Sequence, residues 1–380
     1  MLPNSSSTSS SDSATRRVSG ALATLGYALL CLIIVDLVIG VLVGTPYGRD
    51  PAQVNQLTRY FDYGRSIEGK VRAMVGAEGS APHPMAQTGW IGLPAGQPER
   101  PGEGQNLLVA VYGMSFSSNI ARTMQEQDKS IALRLAGGPG APLNHSYAMY
   151  TADRGQHEAG VVVLGILASS LPALATVTHM TWNFEAPSPH FYPRFIMAGG
   201  KLTELAPSVG SLAQLQAAVK DESQWRALVA EIATRDEFYD SIAFGSSADS
   251  SVLARLARRG WGQSSKRSTL ERFHNATGFT NELGQIEVTH ALVSAFISRV
   301  RSDGKLPVIL AINDSGYADH LHRVLAPAVS ADAAVYFSTH ELAPASESGN
   351  FVKDGHFTAA KDRLMGRRLA ELINDRLQRR

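Results

Sequence analysis

The sequence predicts an α/β fold: a parallel five-stranded sheet doubly wound by helices, with a helical insertion, preceded by one transmembrane helix. Three observations predict it. Short, nearly unbroken apolar runs recur from Asn106 onward, helix-period stretches alternate with them, and one long apolar run stands near the N-terminus. Continuous apolar runs suit parallel strands covered on both faces, where an alternating pattern would suit a half-exposed sheet. Alternation of strand and helix then implies a doubly wound, flavodoxin-like sheet.

The five runs are each followed by Gly or a small or polar residue. Leu107 to Tyr112 leads into Gly-Met-Ser-Phe, and Ile131 to Ala136 into Gly-Gly-Pro-Gly. Gly160 to Leu167 leads into Ala-Ser-Ser, Pro307 to Ile312 into Asn-Asp-Ser-Gly, and Ala333 to Phe337 into Ser-Thr-His. Two helices are legible by period. One covers 284–302, with Val288, Leu292, Phe296 and Val300 on one stripe, and stops near Gly304 and Pro307. The other covers 358–376, with Leu364, Leu369, Leu372 and Ile373. Residues 106–380 thus read as one domain, interrupted by an insertion at 176–283. The insertion holds a capping box at Ser211–Gln214 and helical stretches at 211–234 and 250–259, and reads as a mostly helical cap beside the sheet.

Residues 1–18 begin Ser-rich and polar and read as a disordered cytoplasmic tail. Residues 19–44 contain the apolar run Ala21 to Val43, about 35 Å long as a helix and enough to cross a hydrocarbon core of about 30 Å. That length favours a retained anchor over a cleaved signal, and Leu42 and Gly44 fit a cleavage site poorly. Arg16 and Arg17 just before the run place the N-terminus in the cytoplasm and the bulk of the chain on the periplasmic side of an inner membrane. Asp36 inside the run is costly in lipid. It points either to contact with a partner helix or to a side chain that is neutral or reaches the interface, and both readings stay open. Residues 45–105 read as a membrane-proximal helix carrying Leu57, Tyr60, Phe61, Ile67, Val71 and Val75, followed by a linker rich in Gly and Pro.

Composition excludes several functions. The chain of 380 residues is 44% hydrophobic and carries a formal net charge of +1, so no electrostatic footprint for nucleic acid appears. Cys31 is the single cysteine, which removes intramolecular disulfides, cysteine zinc sites and a cysteine nucleophile in the soluble part. His179 and His190 have no further ligand at metal spacing and read as structural. Trp182, Phe184, Phe191 and Tyr192 read as the packed core of the cap. Gly137-Gly-Pro-Gly140 lacks the spacing and lysine of a nucleotide loop.

In a parallel α/β sheet, ligands bind outside the carboxyl ends of the strands. That edge would gather Ser115, Gly138, Gly140, Ser169, Ser170, Asn313, Asp314 and His340. Asp354 and His356 follow the last strand and reach the same edge. Serine needs an adjacent base to become nucleophilic, histidine suits that task near neutral pH, and a carboxylate fixes the imidazole tautomer. Ser115, His356 and Asp354 are therefore the candidate nucleophile, base and orienting acid. The amide of Ser115 and one near Gly140 are oxyanion candidates. This chemistry calls for no metal and no organic cofactor.

These blocks resemble the SGNH (GDSL-like) hydrolase superfamily. Tyr112-Gly-Met-Ser-Phe116 looks like its first block, Gly138-Pro-Gly140 its second, Val161-Val-Val-Leu-Gly165 the strand into its third, and Phe351-Val-Lys-Asp-Gly-His-Phe-Thr358 its last. The resemblance spans about 106–175 and 305–375. Two departures stand out. Leu167 occupies the position of the third-block asparagine, an oxyanion donor, for which Ser169, Asn144 or Asn313 are the substitutes at hand; Asn144 and Asn313 are also the substrate-binding candidates. The last block is Asp-x-His, a spacing that resembles envelope polysaccharide O-acetyltransferases. The resemblance implies serine-dependent ester hydrolysis or O-acyl transfer on an envelope carbohydrate or lipid. Its rivals are a non-catalytic SGNH-like binding or scaffold protein, and a transferase working with a multi-pass acyl-donor partner.

Overall fold

The structure is a computed structural model that describes the backbone of residues 10–44, 54–76, 81–92 and 95–379, with side chains from residue 20 onward. The first nine residues of the expected tail lie outside the described residues. From Ser10 the chain is already helical, so the tail expected over 1–18 gives way to helix α1, Ser10–Val43. Within α1, Gly20–Val43 is 24 residues long with a hydropathy of 2.7, long and apolar enough for a single membrane span.

Helix α2 (Gln56–Asp62) and helix α3 (Ile67–Val75) follow. The sheet domain then begins with β1 (Leu107–Gly113), α4 (Ser115–Gln127), β2 (Ile131–Gly137), α5 (Leu143–Asp153) and β3 (Val161–Leu167). The insertion contributes α6 (His179–Trp182), a hairpin of β4 (Arg194–Ala198) and β5 (Lys201–Leu205), and helices α7 (Leu212–Lys220), α8 (Glu222–Arg235) and α9 (Val252–Glu271). A short hairpin of β6 (His274–Asn275) and β7 (Gly278–Phe279) leads back to the sheet through α10 (Gln285–Ser302), β8 (Leu306–Ile312), α11 (His320–Leu325), β9 (Val335–Ser338) and α12 (Ala359–Gln378).

The five central strands form one all-parallel sheet in the order β2-β1-β3-β8-β9. Both faces are covered, which explains the missing alternation. Leu108, Ala110 and Tyr112 of β1 pack towards α5 and α10, while Val109 and Val111 pack towards α4 and α12. Gly113 lies opposite Gly137 at the ends of β1 and β2, so the loops that follow leave from one edge.

The outer strand β2 is guarded. Arg134 is buried in a two-pronged ion pair with Asp153, at 2.7 and 2.6 Å, and also donates to the carbonyls of Gln97 and Pro98. The Gln97 side chain accepts the N–H of Leu135 at 2.9 Å. The Pro-rich segment read as a linker therefore covers an edge that would otherwise be open to strand addition.

The insertion is less purely helical than its sequence suggests, because it contains two hairpins. It also shares a core with α3: Ile67, Val71 and Val75 pack with Met180, Leu215, Trp225 and Phe244. Asp36 likewise contacts its own chain. Its carboxylate accepts the Leu253 N–H at 2.7 Å and the Ser251 hydroxyl at 3.1 Å, at the start of α9.

Two glycines set how deeply α4 sits on the sheet. A Cβ at Gly165 of β3 would lie 1.9 Å from Oγ of Ser117, and one at Gly113 would lie 2.5 Å from it. Ser117 is fully buried between them. Larger residues there would lift the first turn of α4, which carries Ser115. Gly165→Ala is expected to cost about 3 kcal/mol, since the new methyl would meet Cβ of Ser117, at 2.8 Å, as well as its Oγ. A urea titration checks it through a lowered midpoint at unchanged slope.

Candidate active site

Ser115 is the first residue of α4 and is exposed. The first N–H groups of a helix have no intrahelical partner, so the turn that presents the hydroxyl also presents free donors. Met114 precedes it in extended conformation and makes no side-chain cap bond.

His356 reaches this turn from the loop before α12. Its Nε2 lies 2.6 Å from Ser115 Oγ. Its Nδ1 lies 3.1 Å from Asp354 Oδ1, and the same oxygen accepts the His356 backbone N–H at 3.1 Å. With Nδ1–H donating to the carboxylate, Nε2 is left to accept the serine proton. The His356 backbone N–H, and then its side chain, hold the Asp354 carboxyl below the usual carboxylate range.

The local sequence explains this geometry. Gly355 sits in the left-handed region at φ 88°, which a glycine adopts without strain. The bend lets the Val352 N–H donate to the His356 carbonyl at 2.8 Å and folds Asp354 back onto His356. Phe351 stacks on Phe357 at 5.2 Å and closes the loop. Phe116, next to the serine, stacks on the His356 ring at 4.6 Å and 22°. An apolar ring on one side and a carboxylate on another hold the imidazole in place.

Sequence reasoning missed Phe116 as a support, although its place beside Ser115 in the first block was visible. It also missed Asp362, in the first turn of α12, whose carboxyl is pushed up to about 6 by burial, with the charge of His356 opposing.

The orienting acid is open to solvent: the Asp354 side chain is 70% exposed, against 29% for His356. Its charge is therefore screened, unlike a buried triad carboxylate. Asp354→Asn is expected to lower kcat/KM about 100-fold, less than the roughly 10⁴-fold loss seen when a buried triad Asp is neutralised. Steady-state ester cleavage across pH checks it.

The oxyanion side is thinner. Gly140 has φ 56° and lies beside the insertion: a Cβ there would be 3.0 Å from His179 Nε2 and 3.4 Å from the Trp182 ring. The Lys266 ammonium lies over Trp182, 5.7 Å from the ring centre. Leu167 is buried in the core with Met114 and Phe116, so no polar side chain stands at the third-block position.

The three proposed substitutes are occupied elsewhere. The Ser169 N–H donates to Asp314 Oδ1 at 3.0 Å, which removes that amide as an oxyanion donor. Asn144, read as a substrate-binding candidate, is fully buried and its side chain donates to the Pro193 carbonyl, so it ties α5 to the insertion. Asn313 is also fully buried. Its N–H donates to Thr339 Oγ1 and its side chain to Ser338 Oγ, joining the ends of β8 and β9.

Behind the Gly138–Gly140 loop lies a cluster of fully or nearly fully buried histidines. His145 and His190 meet edge to face at 5.2 Å, and His179 stacks on His190 at 5.5 Å. A Cβ at Gly138 would lie 3.2 Å from the His145 ring. Hydrogen bonds fix the tautomers. His145 Nε2–H donates to the Gly89 carbonyl, and its Nδ1 has no partner. His179 Nδ1 accepts the Ser188 N–H, so its proton is on Nε2. Ser188 Oγ donates to the Met85 carbonyl, so His190 donates to it from Nδ1, and His190 Nε2 has no partner. Burial pushes His145 down to about 4, His179 to about 3, and His190 well below the usual range. Among the described residues, no group of three or more His, Cys, Asp or Glu side chains is arranged so that it could hold a metal ion.

Two cavities lie away from this site. One of about 450 Å³ is lined by Leu174, Arg194, Phe195, Gln285 and Val288, and one of about 320 Å³ by Arg59, Tyr63, Met74 and Glu185. Neither includes Ser115. No family model matches the chain, and no curated protein is similar to it.

Proposed function

We propose that the chain is a membrane-anchored serine esterase or O-acyltransferase of the SGNH type, acting on an envelope carbohydrate or lipid ester. One observation carries the reading: at the carboxyl edge of a parallel sheet Ser115 Oγ is hydrogen-bonded to His356 Nε2 at 2.6 Å, and His356 Nδ1 lies 3.1 Å from Asp354 Oδ1. The strand order, with helices against both faces, suits a doubly wound, flavodoxin-like sheet.

In this reading Ser115 Oγ attacks the ester carbonyl while His356 Nε2 takes its proton. The carbonyl oxygen becomes an oxyanion, stabilised by the Ser115 N–H and an N–H near Gly140. Collapse breaks the bond to the alcohol, which leaves with the proton from His356, and the acyl group stays on Ser115. Water or a sugar hydroxyl then repeats the steps in reverse and frees the serine. Because Ser115 is exposed, a polymer or a lipid-borne ester can reach it without entering an enclosed cavity. Arg16 and Arg17 ahead of the span support a placement of the catalytic part on the outer side of a cytoplasmic membrane.

A second reading, a non-catalytic SGNH-like binding or scaffold protein, is favoured by the apolar Leu167 where the resembled family places its asparagine donor. Losing one oxyanion donor costs about two to three orders of magnitude in rate. The test is acyl release from an aryl acetate, with and without an oligosaccharide acceptor. The enzyme reading expects acetate in water, or acetylated sugar when the acceptor is present. Folded protein that turns over no ester in either condition leaves only the binding reading.

A further inference from the structure

Helix α9 has an unusual outer face. Its inner side packs into the protein through Val252, Arg255 and Gly262. The opposite side of a surface helix is ordinarily charged or polar. Here Leu253, Ala257, Gly260 and Trp261 occupy it, with Trp261 50% exposed, and no charged residue falls on it over these first turns. Beyond Trp261 the same face turns polar, with Ser264, Arg267 and Ser268.

This apolar stripe starts where α9 meets α1. Asp36 accepts the Leu253 N–H, Gly40 faces Val252 at a distance that leaves 3.6 Å for a Cβ, and Val43 is buried with its carbonyl bonded to Thr58. The other side of α1 at this level is bare: Val41 is 85% exposed, and Leu42 76%. Exposed apolar surface thus stands on α1 within six residues of the bond from Asp36 to the half-buried Leu253. The level of that bond is also informative. A hydrocarbon core of about 30 Å takes about 20 residues of upright helix, so counted from Gly20 it ends near Ile39. Asp36 and the start of α9 then lie about 5 Å below that boundary, within the depth of about 5–10 Å at which amphipathic helices rest in a membrane interface.

We infer that α9 is an interfacial helix whose Leu253–Trp261 face rests in the lipid leaflet on the domain's side of the membrane, with Asp36 the joint that sets its depth. Tryptophan at the end of the stripe suits the headgroup level. The Leu253 N–H and the Ser251 hydroxyl give the Asp36 carboxylate the partners it needs near hydrocarbon. The catalytic domain is then not a body on a free tether but one held at a fixed attitude to the bilayer.

This inference rests on reading α1 as a membrane span. The experiment places the full chain in phosphatidylcholine–phosphatidylglycerol liposomes and takes the difference in emission between wild type and Trp261→Phe, which isolates Trp261. That difference signal is expected to be blue-shifted, quenched by lipid carrying a shallow doxyl group, and protected from aqueous iodide. Asp36→Ala is expected to weaken the lipid quenching, and unchanged quenching would remove Asp36 from the joint. Quenching by iodide alone overturns the inference, as does shielding from both quenchers, which a second copy or a partner helix on this face would give. Alkaline carbonate separates the two claims. Protein released from the liposomes overturns the span itself, whereas protein retained with Trp261 in water overturns only the placement of α9.

Discussion

Ser115→Ala is expected to lower kcat for ester cleavage by about 10⁶-fold, and His356→Ala by a similar factor. The two act as one unit, so the double variant is expected to lose little more than either single one. Nearly additive losses would mean that they do not share a step. Stability is the control. Ser115 is exposed at a helix start, and such surface changes stay within about 0.5 kcal/mol. Activity that disappears with an unchanged urea midpoint therefore assigns the loss to chemistry. Glycine-lined donors remain in both variants, so a residual rate above that in water is expected.

Acid is expected to unfold the protein well above the range in which its surface carboxylates titrate. The cause is the histidine cluster behind the Gly138–Gly140 loop. In the unfolded chain each imidazole takes a proton near 6.5. In the folded chain the bare nitrogens of His145 and His190 have no partner, and that of His179 faces an N–H donor. A proton there would be a buried, unpaired charge. His157 behaves alike. Its Nδ1 accepts the Ala159 N–H, and burial, with Lys305 nearby, pushes it down to about 4.

As pH falls through 6.5 the unfolded state binds protons that the folded state refuses, so stability is lost, and the loss continues until the folded groups themselves titrate near pH 4. Asp236 has the opposite sign. Burial pushes it up to about 7, so the folded state binds its proton first and gains stability as pH falls from 7 towards 4. Asp362, pushed up to about 6, has that sign too, so among these groups four histidines against two carboxyls leave a net of two protons, or roughly 3 kcal/mol per pH unit. Against a typical total of about 5–15 kcal/mol, unfolding is expected between pH 5 and pH 4. Urea midpoints measured across pH 7 to 4.5 check it, and His190→Phe is expected to flatten the slope by one proton. A midpoint that stays level over that range would show that the cluster is not buried and neutral.

Much of the sheet was legible because its strands are buried on both faces and stop at Gly, Ala, Ser or Asn. Observed strand ends fall within two residues of those expected, from Leu107 in β1 to Ser338 in β9. The β4–β5 hairpin was not read, although Gly199-Gly200, both at positive φ, is a strong two-residue turn signal. It lies inside an insertion whose sequence reads as mostly helical. The serine, histidine and aspartate could be named because strand-end geometry brings them together. The auxiliary polar residues could not be sorted in the same way. Ser169, Asn144 and Asn313 carry the right donors at the right edge, but a strand end also has loop carbonyls and hydroxyls to satisfy, and those contacts join residues far apart in sequence. The bond from Asp36 to Leu253 is the extreme case. A carboxylate in an apolar run signals a partner, and nothing in its neighbourhood tells that the partner is the same chain more than two hundred residues later.

Whether Ser115 is an activated nucleophile is tested most directly by a fluorophosphonate, which reacts with a serine only when a base draws off its proton. The folded full-length protein is treated with the probe, digested and analysed by mass. The predicted result is one adduct, on the peptide carrying Ser115, absent from Ser115→Ala and strongly reduced in His356→Ala. Folded wild type that carries no adduct, or an adduct that persists in Ser115→Ala, would contradict the assignment.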